Sequence, residues 1–396
     1  MTNLNQTPKG ERIHIGIFGR TNAGKSSILN ALINQNIAIV SEIKGTTTDP
    51  VSKAMELLPL GPVVIIDTPG LDDNSELGKD RIKKSYQMLA KTDIAIIAVD
   101  SSSGIGETET NLIDEIKSRS IPYITVFNKC DLAPVSVSGK NEIAVSALTG
   151  ENITELKNMI ATLAPEKEER VLVGDLIDSG DIIVLVVPID EAAPKGRLIL
   201  PQQQTIRDIL DNGAIAVVCK DTELSDTLAK LSAKPRLVIT DSQVFKKVAE
   251  IVPCDIPLTS FSILFARYKG DLQTLVDGAK AINSLEDGDR ILIAEGCTHH
   301  RQCGDIGSVK IPRMLEKITG KKPVYDFVSG TEFAENTGEY KLIIHCGGCM
   351  LSEREMRTRI AATTARNIPI VNYGVLLACL TGILDRSLEP FSDITI

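Results

Sequence analysis

Tryptophan is absent from this 396-residue chain, and aromatic residues make up only 4% of it. Any core must therefore be aliphatic, which suits α/β layers rich in Val, Ile and Leu. A basic excess is also missing: 43 Lys and Arg stand against 52 Asp and Glu, giving a net charge of −9. Nucleic-acid binders ordinarily carry the opposite balance, so no nucleic-acid partner is expected. No apolar run approaches the ~18 residues of a membrane span, and no membrane partner is expected. Residues 1–19 lack the apolar stretch of a signal peptide, which predicts a soluble cytoplasmic protein. In that compartment the eight cysteines do not read as a disulfide framework.

What is present is a long alternation. Apolar runs at 13–18, 63–66, 94–99, 122–127, 182–187, 214–218, 236–239, 290–294 and 341–345 are separated by helix-compatible stretches. This pattern predicts an α/β protein with largely parallel sheets. No repeat of roughly 20–50 residues stands out. The Pro-led charge run Ala164–Arg170 reads as a linker, and a softer break falls at Lys269-Gly270-Asp271. The expected segments are 1–168, 169–270 and 271–396. The middle one gathers no convergent polar groups, which points to a scaffold or dimerisation module and so to a homodimer. Its Cys219 and Cys254 read as small buried apolar residues.

The first apolar run ends on Gly19-Arg20-Thr21-Asn22-Ala23-Gly24-Lys25-Ser26, with helix-compatible Ser27–Ile33 behind it. This is a G-x-x-x-x-G-K-S phosphate loop. Its glycines let backbone N–H groups curl around phosphate oxygens, and the helix start adds partial positive charge. Lys25 would meet the β- and γ-phosphates, and the Ser26 hydroxyl would ligate Mg2+. Ala23, Gly24 and Ser27 complete the cradle. Asp67, in Ile66-Asp67-Thr68-Pro69-Gly70, would hold the Mg2+ shell, and the Gly70 N–H would meet the γ-phosphate. In Asn128-Lys129-Cys130-Asp131, the Asp131 carboxylate can accept from N1 and N2 of guanine, donors that adenine does not offer there. Ser146-Ala147-Leu148 fits a backbone contact to guanine O6. Four elements in this order predict a P-loop GTPase domain that binds GTP/GDP with Mg2+.

Gly45-Thr46-Thr47-Thr48-Asp49 resembles the switch I signature of the translation-factor-related GTPases typified by Era and TrmE. That resemblance implies Thr47 as a further Mg2+ ligand, with Thr46 and Thr48 as rival registers. It also implies that Asn22 helps hold a K+ ion in place of an arginine finger. Leu71 stands where Ras-like enzymes have a water-orienting glutamine, so slow, K+-stimulated hydrolysis is expected.

A second constellation lies far downstream. Cys297, His299, His300 and Cys303 follow one apolar run; His345, Cys346 and Cys349 follow another. In a parallel sheet both sets share the carboxyl edge, where ligands generally bind. Three thiolates with nearby histidines suit an iron–sulfur cluster or zinc. Cys346-Gly347-Gly348-Cys349 alone also admits a redox dithiol, although no helix start with the matching position is expected after it. Cys379, within Gly374–Gly382, reads as helix core.

An Era/TrmE-like G domain, a middle α/β segment, and Cys297-x-His299 followed by His345-Cys346-x-x-Cys349 together resemble the HydF family, the GTPases of [FeFe]-hydrogenase maturation. Asp305-Ile306-Gly307 and Lys310-Ile311-Pro312-Arg313 add to the likeness. It implies a [4Fe–4S] cluster on Cys297, Cys346 and Cys349, with one iron left to a labile or non-cysteine ligand. Candidates for that place are His299, His345, Cys303 and Asp305. It implies further a scaffold or carrier for the di-iron subcluster, with the radical-SAM maturases HydE and HydG and the apo-hydrogenase as partners. Two other readings stay open: an RNA-modification or ribosome-assembly GTPase, and a zinc-stabilised GTP-dependent interaction module.

Overall fold

Every residue of Ile13–Phe18 (β1) is buried, because this strand lies at the centre of a sheet covered on both faces. The computed structural model describes residues 7–34, 41–43, 51–72, 82, 85–164, 171–189, 198–296, 305–330, 333 and 337–395. The chain divides into two compact units, Met1–Lys167 and Glu168–Ile396.

In the first unit β1 is joined by Ser41–Ile43 (β2), Val51–Leu57 (β3), Gly61–Asp67 (β4), Ile94–Asp100 (β5), Tyr123–Asn128 (β6) and Glu142–Val145 (β7). The order is β2-β3-β4-β1-β5-β6-β7, parallel except that β3 runs against β4 and β2 against β3. Alternate side chains of each strand serve opposite faces. Ile94, Ile96 and Ala98 pack into one apolar layer, and Ala95, Ile97 and Val99 into the other. Helices Lys25–Asn34 (α1), Glu107–Ser118 (α2) and Ile153–Thr162 (α3) belong to this unit.

The second unit contains two four-stranded, wholly parallel sheets. One is built from Ile182–Val186 (β8), Ile215–Cys219 (β9), Leu237–Thr240 (β10) and Leu258–Ser260 (β11), in the order β11-β10-β8-β9. The other uses Arg290–Glu295 (β12), Val324–Ser329 (β13), Leu342–His345 (β14) and Ile370–Asn372 (β15), in the order β13-β12-β14-β15. Numbered within each sheet, both orders are 2-1-3-4. The same topology thus occurs twice, although no repeat is legible in the residues. The unit's helices are Leu200–Asp211 (α4), Leu224–Lys230 (α5), Phe245–Ile251 (α6), Phe261–Lys269 (α7), Leu272–Ala279 (α8), Ile311–Thr319 (α9), Glu353–Thr364 (α10), Tyr373–Leu380 (α11) and Leu384–Leu388 (α12).

The two sheets share one continuous apolar core: Val184, Leu264, Val276, Ile293 and Val375 belong to the same cluster. The helices between them approach closely where small residues allow it. A Cβ on Gly374 would lie 2.4 Å from Cβ of Ser262. Asn372 caps α11 through Val375 N and also donates Nδ2 to Ser262 O at 3.0 Å.

Two expectations, for Cys254 and Cys379, need correction. The helix that follows the Cys346–Cys349 stretch, α10, starts at Glu353, with Ser352 accepting from Glu355 N. The cap is that serine, one turn beyond the thiols, so neither cysteine sits at the helix start. Cys254 is exposed, whereas Cys219 is buried as expected. Cys379 is half-buried in the last turn of α11 and packs only partly on the core.

The closest backbone approach is at Gly278 of α8, where a Cβ would sit 1.9 Å from Ile370 O of β15. Backbone cannot yield as a side chain tip can. Gly278→Ala should therefore destabilise this unit by about 2 kcal/mol, despite the better helix propensity of alanine. Thermal or urea denaturation of the full chain measures this, and an unchanged or raised midpoint would refute it.

Candidate functional site

The phosphate loop begins where β1 ends. Gly19 has φ +145° and passes against β5: a Cβ there would be 2.2 Å from Ala98 O. Asn22, exposed, and Gly24 adopt positive φ of 62° and 87°, closing the loop onto α1. Lys25, the first residue of α1, is buried and donates Nζ to Gly19 O at 3.1 Å and to Arg20 O at 2.7 Å. Burial lowers its pKa, while Asp67 and Asp72 pull the other way.

Ser26 Oγ donates to Asp67 Oδ2 at 2.5 Å. The other carboxylate oxygen, Asp67 Oδ1, is buried without a hydrogen-bond partner among the described residues. Burial raises the Asp67 pKa against the opposing effects of Ser26, Lys25 and Lys53. A hydroxyl beside a carboxylate with an orphaned buried oxygen is a donor set that fits Mg2+, a hard cation that prefers oxygen.

Gly70 presses on the loop: a Cβ would be 2.2 Å from Thr21 Oγ1 and 2.9 Å from Thr21 N. Leu71 turns inward, 6% exposed, into the apolar layer with Phe18 and Leu89. Beyond it, Asp72 Oδ1 accepts from Thr21 N at 2.7 Å and Thr21 Oγ1 at 2.6 Å. Neither this tie nor the next was legible in the sequence. Arg20 donates Nε to buried Glu109 at 2.5 Å and Nη2 to Gly104 O at 2.8 Å. The loop is thereby anchored to the start of α2, whose N-terminal Gly106 N is also held by Glu109.

The guanine motif closes on the same loop. Buried Asn128 donates Nδ2 to Ala23 O and accepts at Oδ1 from Ala147 N, both at 3.1 Å. It joins the phosphate loop to Ser146-Ala147-Leu148. Gly24 makes room for it, since a Cβ there would be 2.1 Å from Asn128 Nδ2. Lys129, at φ +67°, donates Nζ to Asp100 Oδ2 at 2.6 Å. That bond and two from Ser102, by its hydroxyl and its N–H, hold the Asp100 carboxyl down to about 2. Asp131 is exposed, Ser146 is buried with Oγ accepting from Thr149 N at 3.2 Å, and Leu148 is 88% exposed. Ser27, Asn30 and Ala31 face Ala147–Gly150 across a cleft. Gly45–Asp49, with Thr46, Thr47 and Thr48, lies outside the described residues.

In the second unit β12 and β14 are adjacent and parallel, with Ala294 beside His345. Cys346 N donates to Ala294 O at 2.9 Å. The buried Cys346 Sγ accepts from Gly296 N at 3.0 Å and Gly348 N at 3.4 Å. Gly296 immediately precedes Cys297. Cys349 is half-buried. Cys297, His299, His300 and Cys303 lie outside the described residues, and among the described ones no group of three His, Cys, Asp or Glu is set for a metal ion.

His345 is fully buried, with Nδ1 2.8 Å from Cys346 O and Nε2 2.9 Å from Arg359 Nη1. A guanidinium only donates, so Nε2 accepts and the proton belongs on Nδ1, where it is given to the Cys346 carbonyl. Arg359 is fixed in turn by Glu355 Oε1 at 2.8 Å and Gly330 O at 3.1 Å. Both His345 nitrogens are thus engaged. Asp305 Oδ2 accepts from Ser308 N and Oγ at 2.9 and 3.0 Å. Tyr373 donates its hydroxyl to Glu295 Oε1 at 3.2 Å. Burial, then the charges of Glu295 and Cys346, push its phenol far up.

A glycine-shaped phosphate loop, a Ser–Asp pair suited to Mg2+ and a guanine-motif staple define the first unit as a P-loop GTPase domain. The matching family model and the curated relatives agree. Residues 14–129 match the family model described as 50S ribosome-binding GTPase. The tRNA modification GTPase MnmE of Legionella pneumophila (strain Corby) is 37% identical over 155 residues, covering 38% of this chain and 34% of that protein. MnmE of Endomicrobium trichonymphae is 37% identical over 171 residues, covering 40% and 37%. The chain thus spans about a third of the length of these curated relatives. Era from Aquifex aeolicus bound to GDP and AlF4− aligns at 20% identity with a TM-score of 0.33, covering 52% of this chain and 92% of that one. The remainder is matched elsewhere. Residues 172–270 match the hydrogen maturase F dimerization domain and 273–390 the hydrogen maturase F tetramerization domain, together more than half of the chain. The chain belongs to the hydrogen maturase F family.

Asn128→Ala would strand Ala23 O and Ala147 N, each an unpaired polar group worth about 1–3 kcal/mol where buried. Guanine-nucleotide affinity should fall at least ~10-fold, read by titration with a fluorescent GDP analogue. Wild-type affinity would show that the staple is dispensable.

Proposed function

We propose that this protein hydrolyses GTP and carries a [4Fe–4S] cluster as scaffold or carrier for the di-iron subcluster of [FeFe]-hydrogenase. The observation that carries the second half is the Cys346 cradle. Two backbone N–H groups converge on its buried sulfur, and one belongs to the residue just before Cys297. N–H donors aimed at sulfur stabilise a thiolate and the sulfides of a cluster. The ligands in this reading are Cys297, Cys346 and Cys349. His345 is disfavoured as the fourth, because an iron bond would break one of its two buried hydrogen bonds. That leaves His299, Cys303 and Asp305. A cluster with one iron open to exchange supplies a docking point for a second metal cofactor; four thiolates would close it.

In the G domain, Lys25 and the backbone of Gly19–Ser26 bind the phosphates, Ser26, Asp67 and Thr47 hold Mg2+, and Gly70 contacts the γ-phosphate. Asn128, Lys129, Asp131 and Ser146–Leu148 select guanine. Leu71 is buried and cannot orient water, which supports slow turnover aided by K+ at Asn22. Turnover then regulates loading or release of the cargo. The partners in this reading are HydE, HydG and the apo-hydrogenase, with a homodimer or larger oligomer built on the dimerization and tetramerization segments, in the cytoplasm. The MnmE likeness covers only the G domain and gives the RNA reading no support beyond it.

Two experiments test this. After anaerobic reconstitution the chain should bind about four irons with iron–sulfur absorption, lost on Cys346→Ser or Cys349→Ser. One zinc and no iron would sink the cluster. GTP turnover should be faster in K+ than in Na+, with Asn22→Ala erasing the difference and Lys25→Ala abolishing turnover while leaving iron content intact. Equal rates in both salts would reject the K+ site.

A further inference from the structure

The loop that carries Cys346 and Cys349 is gripped from behind by a residue of the preceding segment. Lys269 is the last residue of α7 and only 2% exposed. Its Nζ donates to Cys349 O at 2.8 Å and Leu351 O at 2.9 Å, and lies 3.5 Å from Gly348 O. The same ammonium sits 5.7 Å from the centroid of the Phe265 ring. Burying a lysine costs several kcal/mol unless its charge is compensated. Here carbonyl oxygens of a single loop supply much of the compensation.

The loop is held from two sides. Gly348 gives its N–H toward Cys346 Sγ at 3.4 Å and turns its carbonyl toward Lys269. The turn is thus held on one side by an N–H directed at the sulfur and on the other by three carbonyls around the ammonium. The N–H stabilises negative charge on the sulfur, and the fixed cation beside the same turn acts in the same sense through a low-dielectric interior.

We propose that Lys269 is a positioning residue for the cluster loop. It fixes the Cys346–Cys349 turn and supplies the buried positive charge that offsets the thiolates gathered there. This inference rests on the cluster reading given above. Lys269 falls within the residues matched by the dimerization model and the loop within those matched by the tetramerization model. The contact consequently ties α7 to the thiols across that junction. A packing role alone would need only the volume of the side chain, which methionine nearly reproduces. The charge is what methionine lacks.

The full chain is reconstituted anaerobically as wild type, K269M and K269R, and each is titrated with dithionite while one-electron reduction is followed by EPR. Iron release to a chelator is timed in parallel. K269M should have a lower reduction potential, because the reduced cluster carries one more negative charge and has lost its nearby cation. It should also release iron at least ~5-fold faster, about 1 kcal/mol of lost restraint. K269R should stay close to wild type in potential. If K269M melts below the assay temperature, K269Q, which retains hydrogen-bond donors without the charge, takes its place. A neutral variant with wild-type potential and wild-type iron release overturns the role of Lys269 while leaving the cluster reading intact. A wild-type chain that takes up no iron–sulfur cluster overturns both.

Discussion

Parallel strand pairing is the constraint on which both candidate sites depend. When neighbouring strands run the same way, their carboxyl ends share one edge and the loops that follow are brought together. In the first unit β1, β4 and β6 deliver the phosphate loop, Asp67 and Asn128 to one edge from positions far apart in the chain. In the second unit the same pairing sets Ala294 beside His345, and the next residues on each strand place Gly296 N against Cys346 Sγ. Apolar β-branched runs secure the ladders, while the chemistry rides on residues just beyond them.

Close approach then refines what pairing delivers. Gly19, Gly24 and Gly70 each stand where a Cβ would collide with backbone or with a functional amide. Removing side chains at these points lets the phosphate loop, the Asp67-Thr68-Pro69-Gly70 turn and Asn128 meet within hydrogen-bond distance. Charged anchors outside the loop hold the result: Arg20 on Glu109, Thr21 on Asp72, Lys129 on Asp100.

The sequence disclosed most where local chemistry is dense. The apolar runs fall on strands, and the four guanine-nucleotide motifs fall at strand ends, because a phosphate loop needs its residues contiguous. Elements without that density were silent. β13 is an edge strand, Val-Tyr-Asp-Phe-Val-Ser, whose exposed positions mix polar with apolar residues; β15 and β11 have three residues each. Strands this short depend on the sheet they join and leave no periodicity to read. Long-range partners were equally hidden. Asn128 could be assigned to guanine recognition, but not its bond to Ala23. Arg359, fourteen residues from His345 and one face of a helix away, carries no motif. Cys254 illustrates the converse: a small apolar residue type is a poor guide when its neighbours, Pro253 and Asp255, belong to a surface turn.

The repeated topology of the second unit gives the location of Lys269 a reason. Both sheets have the order 2-1-3-4, and in both the last strand ends on a polar residue, Ser260 or Asn372, that caps the next helix through its side chain. In the second sheet Cys346 and Cys349 follow the third strand, and in the sequence Cys297 comes two residues after the first. In the first sheet the third strand is followed by Asp241-Ser242-Gln243, without a thiol. What the first sheet provides instead comes from the far end of its final helix, where Lys269 reaches the Cys346–Cys349 loop. In the proposed cluster reading the two halves supply opposite charges, thiolates from one and an ammonium from the other. Their shared apolar core holds that arrangement in place, because neither sheet can shift against its neighbour without exposing Val184, Leu264 or Ile293 to water.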